Sequence, residues 1–468
     1  LGTGAAWYEL KTETLAVAAP ERPGVFFCIL FLFPFYPMEK RPYRGDIAPD
    51  GAIVPFPVEP RDVTSPAAVE KLTQAAGMEV TRDALRARGV LIRSDKQSQF
   101  LEDRHFDERH PNIEIVARAG VGHDNIDKPR ASRRGIVTVS TPGPSAEPVA
   151  QHALTLLLML VRRMHTNGQL LKQHQWGKKR PEAKPMNTKT MTLGIVGHGS
   201  IGGKLHAMAA PHFKDVIFTD KRDLPGKVSL EELVRRADAL SIHVDGKKPV
   251  LTRELIALLK PEAIVVNTAR GGVVDTEAII EAMQERGVFY GADVFRKEEG
   301  AMFDLDPALA TLVDHPHFTG SCHVAGSDDY TEEQLGLEAA QRVIEFAQQA
   351  IVNPDNVPGH TLPHVGIDER EADSDTNGNG HEHIPFTRMS LMHESVRGAL
   401  AKVTGIVAAY GVNIANLTNK EGDPFEGHRL AMTVADLERV TTETALNIRG
   451  AIEEALHPYK TRLLAYED

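Results

Sequence analysis

Cysteine is scarce, and basic charge is outweighed. The 468 residues contain two cysteines, Cys28 and Cys322. Two thiols give no disulfide framework and suit a reducing compartment, so a cytoplasmic protein is expected. Lysine and arginine number 53 against 64 aspartates and glutamates, a net charge of −11. That balance argues against a nucleic-acid groove, yet local arginines can still hold a small anionic substrate. Long hydrophobic runs are missing as well. The stretch "VFFCILFLFPFY", 25–36, has twelve residues and an internal proline, Pro34. It is too short to span a bilayer, and it lacks the basic lead and small-residue exit of a signal peptide. No membrane partner and no metal are expected. Residues 1–37 are read as an extension belonging to no domain, ahead of a start at Met38.

What is present is ordinary globular composition, long enough for two or three domains. From about 190 to 295 apolar strands alternate with helices: "TLGIVG", "DVIFTD", "ALSIHV", "AIVVNTA" and "YGADVF" are the strands. Continuous apolar runs mean strands covered on both faces, and the alternation means a parallel sheet wrapped by helices. Ser229 and Glu232 form a capping box ahead of "LEELVRRA". Residues 148–163, apolar nearly all round, predict a buried helix joining two domains. The polar segment 366–383 predicts a linker. Beyond it, 384–468 reads strand, helix, strand, strand, helix, strand, the order of a ferredoxin-like domain.

The stretch "LGIVGHGSIGGKL", 193–205, carries Gly197, Gly199 and Gly202 between a strand and a helix. Alone, such spacing can be a tight turn. Here Asp220 ends the next strand, near the spacing of a ribose contact, which favours a dinucleotide site. Gly197 permits the turn, Gly199 lets the backbone approach pyrophosphate, and Gly202 lets helix pack on strand. Asp220 would accept from both ribose hydroxyls and repel a 2′-phosphate, so NAD is the expected cofactor. Lys221 and Arg222 beside it leave NADP open.

Further motifs follow in order: "ARAGVGHDNID" (117–127), "VNTARGGVVDTEAI" (266–279), "GADVF" (291–295), Glu298 and "SCHVAG" (321–326). Together with the glycine loop they resemble the D-isomer-specific 2-hydroxyacid dehydrogenases over about 89–345. The resemblance implies an α/β fold: a Rossmann-type doubly wound parallel sheet domain at 148–317 and a smaller, discontinuous substrate domain at 38–147 completed by 318–350. It implies Arg270, Glu298 and His323 as the catalytic set, with Glu299 the rival to Glu298. It implies Gly197, Gly199, Ser200, Ile201, Gly202, Asp220, Thr268, Ala269 and Asp293 around the cofactor, Asp293 facing the nicotinamide carboxamide. Arg93, Gly120, Val121, Gly122 and Arg270 would hold a small 2-hydroxy acid.

The tail stretch "SLMHESVRGALAKVTGIVAAYGVNIANL", 390–417, looks like an ACT-type regulatory domain, so 384–468 is expected to be ferredoxin-like α+β. His393 and Asn413 are its candidate effector residues. A member with such a tail implies oxidation of D-3-phosphoglycerate and a homo-oligomer, dimer or tetramer. Glyoxylate or hydroxypyruvate reduction is the alternative, and a non-catalytic NAD-sensing module is the reading from another class. Departures are visible. Cys322 stands where the family commonly has proline, Asp95 where phosphoglycerate enzymes often have a second arginine, with Lys96 beside it, and Ser395 replaces an amide in the tail.

Overall fold

A computed structural model describes residues 43–466 apart from 62–64, 94–108, 123–125, 128–129, 132–133, 247, 297, 299–305, 350–385 and 422–429. The extension 1–37, the linker 366–383, Asp95, Lys96 and Glu299 lie outside the described residues.

Strands β1 (Tyr43–Ile47) and β2 (Ile53–Val54) open the chain and join a distant sheet, described below. β3 (Phe56–Pro60), β4 (Met78–Val80), β5 (Gly89–Ile92), β6 (Ile115–Arg118) and β7 (Val137–Ser140) form a parallel sheet of order β4-β3-β5-β6-β7. Helix α1 (Pro66–Gln74) starts on a proline, and the Ser65 side chain accepts from the Ala68 amide. Proline at that point loses no helix bond, and the cap satisfies an orphan donor.

Helix α2 (Ala146–Val161) leaves this sheet and carries the chain to a second one. Its Ala150, Ala153, Leu157 and Leu160 pack against Leu193, Ile195, Ile264 and Val266, all buried. Each leucine, isoleucine or valine so covered contributes about 1.5–3 kcal/mol. The second sheet contains β8 (Thr192–Val196), β9 (Asp215–Thr219), β10 (Ala239–Ile242), β11 (Ile264–Asn267), β12 (Phe289–Ala292) and β13 (Phe318–Gly320). It is parallel throughout, with order β13-β12-β11-β10-β8-β9. The direction of winding reverses at β8, and in open α/β sheets ligands bind beyond the strand ends at such a switch point. Helix α3 (Ser200–Ala209) follows β8, and α4 (Leu230–Arg236) has its amide at Glu232 capped by Ser229 Oγ at 3.1 Å, as the sequence pattern predicts. Helix α5 (Asp329–Gln349) returns to the first sheet, where Leu335, Ala339, Val343 and Phe346 pack with Phe56, Leu91, Ile115 and Val137.

The tail supplies β14 (Phe386–Glu394), α6 (Ala399–Ala409), β15 (Ile414–Glu421), β16 (Leu430–Glu438), α7 (Thr442–Leu456) and β17 (Lys460–Tyr466). The strands pair in the order β15-β16-β14-β17, antiparallel, which is the ferredoxin-like arrangement. One assignment is corrected here. The sequence reading placed 38–147 in a single domain, but β1 pairs antiparallel with β17, Asp46 opposite Leu464, and β2 extends the sheet to six strands. The cause is the free edge of β17, whose unpaired backbone groups β1 satisfies. Met392, Val434 and Leu464 of the tail also share one buried cluster with Phe56, Leu91 and Phe346. The tail is therefore packed onto the first sheet.

Candidate active site

The glycine loop leaves the carboxyl end of β8 at the switch point. Gly197 has φ +92°, and a Cβ there would lie 2.4 Å from the His243 carbonyl oxygen at the end of β10. A Cβ on Gly202 would lie 1.9 Å from the Gly197 carbonyl oxygen. Both contacts are with backbone, so only glycine fits. Gly199 faces open space and is the N-cap of α3, which no side chain caps. Ser200 is exposed and Ile201 half-buried in the first turn of that helix. Thr268 is 7% exposed, and its Oγ1 is buried with no partner among the described residues. An uncapped helix start behind a bare glycine and an orphaned hydroxyl just beyond β11, two strands away, suit a dinucleotide with phosphates at the helix and nicotinamide toward β11. Ala269, next to Thr268, is half-buried.

Asp220 ends β9 as expected, but it already has partners. Its Oδ1 accepts from Arg222 Nε at 2.9 Å, and its Oδ2 from the His198 amide at 2.8 Å. Arg222, half-exposed, also reaches the His198 carbonyl at 2.8 Å. The bond from Arg222 is the main cause that holds the Asp220 carboxyl well below the usual range. The carboxylate is thus fixed and ionised beside a cation. Sequence spacing located Asp220; it carried no sign of the clamp.

The acid–base groups come from three segments. Arg270 follows β11, and its carbonyl accepts from Asn267 Nδ2 at 2.9 Å, which shapes the turn. Gly271 lies so close to Phe295 that a Cβ would overlap its carbonyl carbon, and this approach sets Arg270 beside the segment holding Glu298. Glu298 Oε1 accepts from the Phe295 amide at 2.8 Å, and Oε2 meets His323 Nδ1 at 2.7 Å. The bond to Glu298 raises the His323 pKa above its ordinary value, against the opposing effect of burial; Asp293 adds to the rise and Arg270 opposes it. Burial pushes the Glu298 carboxyl up, but its bonds to His323 and the Phe295 amide outweigh it and leave the pKa lowered. The structure thus brings all three residues together.

His323 sits at φ +55°, a left-handed conformation costing about 1–3 kcal/mol for a residue with a Cβ. Asp293 holds it there. The Asp293 carbonyl accepts from the His323 amide at 2.8 Å, and its carboxylate from the amides of Val324 at 2.9 Å and Ala325 at 3.0 Å. Asp293 is 1% exposed. Both carboxylate oxygens brace the turn, one through the Val324 amide and the other through that of Ala325. The Gly120 amide donates to Thr141 Oγ1 at 2.8 Å. Of the three amides proposed for the substrate carboxylate, those of exposed Val121 and half-buried Gly122 are left for it. Arg93 follows β5 and pairs with Glu332 at 2.7 Å. In the tail, His393 is 3% exposed, its Nδ1 on the Glu394 carbonyl and Nε2 on Thr433 Oγ1, both at 2.9 Å. Asn413 is exposed and donates to Glu438 at 2.7 Å. The structure gives these two residues separate partners.

Fold and site together define a dinucleotide-dependent α/β oxidoreductase. Residues 154–325 match the family described as D-isomer specific 2-hydroxyacid dehydrogenase, NAD binding domain. The chain is 33% identical over 243 residues to a hydroxypyruvate reductase of Thermotoga maritima, covering 50% of this chain and 78% of that protein. It is 31% identical over 273 residues to a D-3-phosphoglycerate dehydrogenase of Methanocaldococcus jannaschii, covering 54% of this chain but 50% of that one. A solved D-lactate dehydrogenase from Aquifex aeolicus, complexed with NAD and lactic acid, superposes with a TM-score of 0.53 at 23% identity, covering 62% of this chain and 96% of that one. The chain belongs to the D-isomer-specific 2-hydroxyacid dehydrogenase family, and NAD is its cofactor. No helix among the described residues is long and apolar enough to cross a membrane.

Asp220→Ala is expected to narrow the preference for NAD over NADP by roughly ten- to hundredfold, because a charged hydrogen-bond acceptor is worth about 1.5–3 kcal/mol. The variant removes the group that repels a 2′-phosphate and leaves Arg222 to attract one. Steady-state efficiencies with the two cofactors measure the ratio, and an unchanged ratio defeats the assignment.

Proposed function

We propose that the protein oxidises D-3-phosphoglycerate to 3-phosphooxypyruvate with NAD, through Arg270, Glu298 and His323. The observation supporting the catalytic part is the 2.7 Å contact between His323 Nδ1 and Glu298 Oε2. An ionised carboxylate only accepts, so Nδ1 holds a proton. Neutral His323 then has its lone pair on Nε2, and that atom takes the proton of the substrate hydroxyl. NAD, when bound, accepts the hydride from carbon 2. Glu298 keeps the ring oriented and stabilises the imidazolium that results. Arg270 clamps the substrate carboxylate and the reacting oxygen with its planar fork, helped by the amides of Val121 and Gly122. A sensor module needs no such proton acceptor, which weighs against a non-catalytic role.

The phosphate reading is supported by the ACT-like order of the tail and by Arg93 at a strand end of the first sheet. Glu332 already neutralises Arg93, and a phosphate would have to displace it. That pairing favours the second reading, reduction of glyoxylate or hydroxypyruvate. A panel of 2-hydroxy and 2-keto acids, followed by absorbance of reduced nicotinamide, separates the two. On the first reading phosphoglycerate gives the highest kcat/KM. Arg93→Gln then raises its KM at least about tenfold, the loss of a charge-assisted fork, and leaves hydroxypyruvate unaffected. A higher efficiency with hydroxypyruvate or glyoxylate in the unaltered protein overturns the phosphoglycerate assignment.

A further inference from the structure

His152 lies on α2, far in sequence from every motif that marks the active site. Its Nε2 is 2.7 Å from Ser321 Oγ, and Ser321 Oγ is 2.6 Å from Asp293 Oδ1. The direction of the bonds follows from proton counting. Asp293, ionised, accepts only, so the single hydroxyl proton of Ser321 points to it. Ser321 Oγ must then accept from His152, and His152 carries its proton on Nε2. The chain runs from His152 to Ser321 to Asp293, and Asp293 binds the amides of His323, Val324 and Ala325.

We propose that His152 and Ser321 are positioning residues for the reaction, which hold the Asp293 carboxylate and through it the turn that presents His323. The proposal rests on the reading of His323 as the base. Three observations carry it. Asp293 is 1% exposed, so its charge depends on donors within the protein. The turn it braces has His323 in a left-handed conformation that needs outside support. And α2 connects the first sheet to the second, with Gly326 just past the turn packed against Ser145 and Val149 at its start. A hydrogen bond from α2 to the turn ties the position of the base to the helix that joins the two sheets.

The role predicts more than a loss of rate. The charged groups acting on His323 are Glu298, Asp293 and Arg270, and Asp293 raises the pKa of the ring. A hydroxyl donating to Asp293 disperses its charge. Without it, Asp293 acts more strongly on the imidazolium, and the base loses its proton only at higher pH. Ser321→Ala is therefore expected to lower kcat by about tenfold to a hundredfold, the scale of a misplaced catalytic group. It also moves the acid limb of the kcat/KM profile for hydroxy-acid oxidation upward. Ser321→Thr keeps the hydroxyl and restores both. His152→Phe behaves like Ser321→Ala, more weakly, and His152→Gln, which keeps a donor, recovers activity.

The experiment is the pH profile of the full-length protein and these four variants, with His323→Asn alongside and NAD affinity measured for each. The expected result is a limb shifted upward in Ser321→Ala and His152→Phe with NAD affinity kept. An unmoved limb in both, whether or not kcat falls, leaves them a packing role only and overturns the proposal. Normal turnover by His323→Asn is a different failure, since it removes the base assignment itself.

Discussion

His323→Asn is expected to turn over hydroxy acid about two to four powers of ten more slowly than the unaltered protein, the usual contribution of a general base. NAD affinity stays the same, because no contact of the glycine loop or Thr268 involves His323. The magnitude follows from what asparagine keeps and loses. Its amide can still donate toward Glu298, so the turn and the carboxylate keep a partner. It has no group that accepts a proton near neutral pH. The acid limb of the unaltered protein should lie above the ordinary histidine value, since Glu298 raises the His323 pKa and oxidation needs the neutral ring. Glu298→Gln removes that support, so the limb should move down in pH while kcat falls, the imidazolium having lost its stabilising charge. Rapid-mixing or steady-state rates between about pH 5 and 10 test both variants, a window that brackets the unperturbed pKa near 6.5. Near-normal turnover in His323→Asn would sink the mechanism, and a Glu298→Gln limb that rises would contradict the sign.

Local signals were readable in the sequence wherever the cause is local. The glycine spacing 197–202 is dictated by backbone contacts with Gly197 and His243, and Ser229 caps its own helix. The second sheet was legible because β8, β10 and β11 are apolar without alternation. What escaped notice depends on partners far along the chain. Nothing near Asp293 signals that it braces a turn 30 residues later; the amide of Ala325, 32 positions on, reveals it. Arg222 beside Asp220 read as a determinant of cofactor choice, and the structure adds that it clamps the carboxylate. The strand at 43–47 carries no pattern that names its neighbour, and its pairing with β17 spans over 400 positions. His152 gave no motif at all, since its role comes from one bond to Ser321 across 169 residues. Family motifs mark groups that meet substrate and cofactor more clearly than the groups that hold those in place.

Asp46→Asn is expected to destabilise the protein by about 3–5 kcal/mol, the cost of leaving a buried charge without its partner. Asp46 on β1 is 5% exposed and lies between two arginines. Arg462 of β17 donates to both its oxygens at 2.9 Å, and Arg88, which precedes β5, reaches Oδ2. Arg462 also donates to the Phe346 and Ala347 carbonyls at the end of α5 and is 4% exposed. Arg88 has a second acid, Glu114, at 2.7 Å, but Arg462 approaches Glu114 no closer than 3.7 Å. Removing the Asp46 charge therefore leaves Arg462 with neutral carbonyls and a distant carboxylate. The pH dependence follows from the same geometry. Burial pushes the Asp46 carboxyl up, yet the two arginines more than reverse this and hold it below the usual carboxylate range. A depressed pKa contributes stability above the unfolded value near 3.9 and loses it as pH falls through the folded one, so acid should loosen the tail from the first sheet. Asp46→Leu combined with Arg462→Met should recover much of the loss, because Arg88 keeps Glu114 and no charge is stranded. Urea unfolding at pH 7 and at about pH 2.5, below the unfolded carboxyl value, with proteolysis of the tail as a second readout, measures this. An Asp46→Asn midpoint equal to that of the unaltered protein at both pH values would show that β1 and the ion cluster do not hold the tail in place.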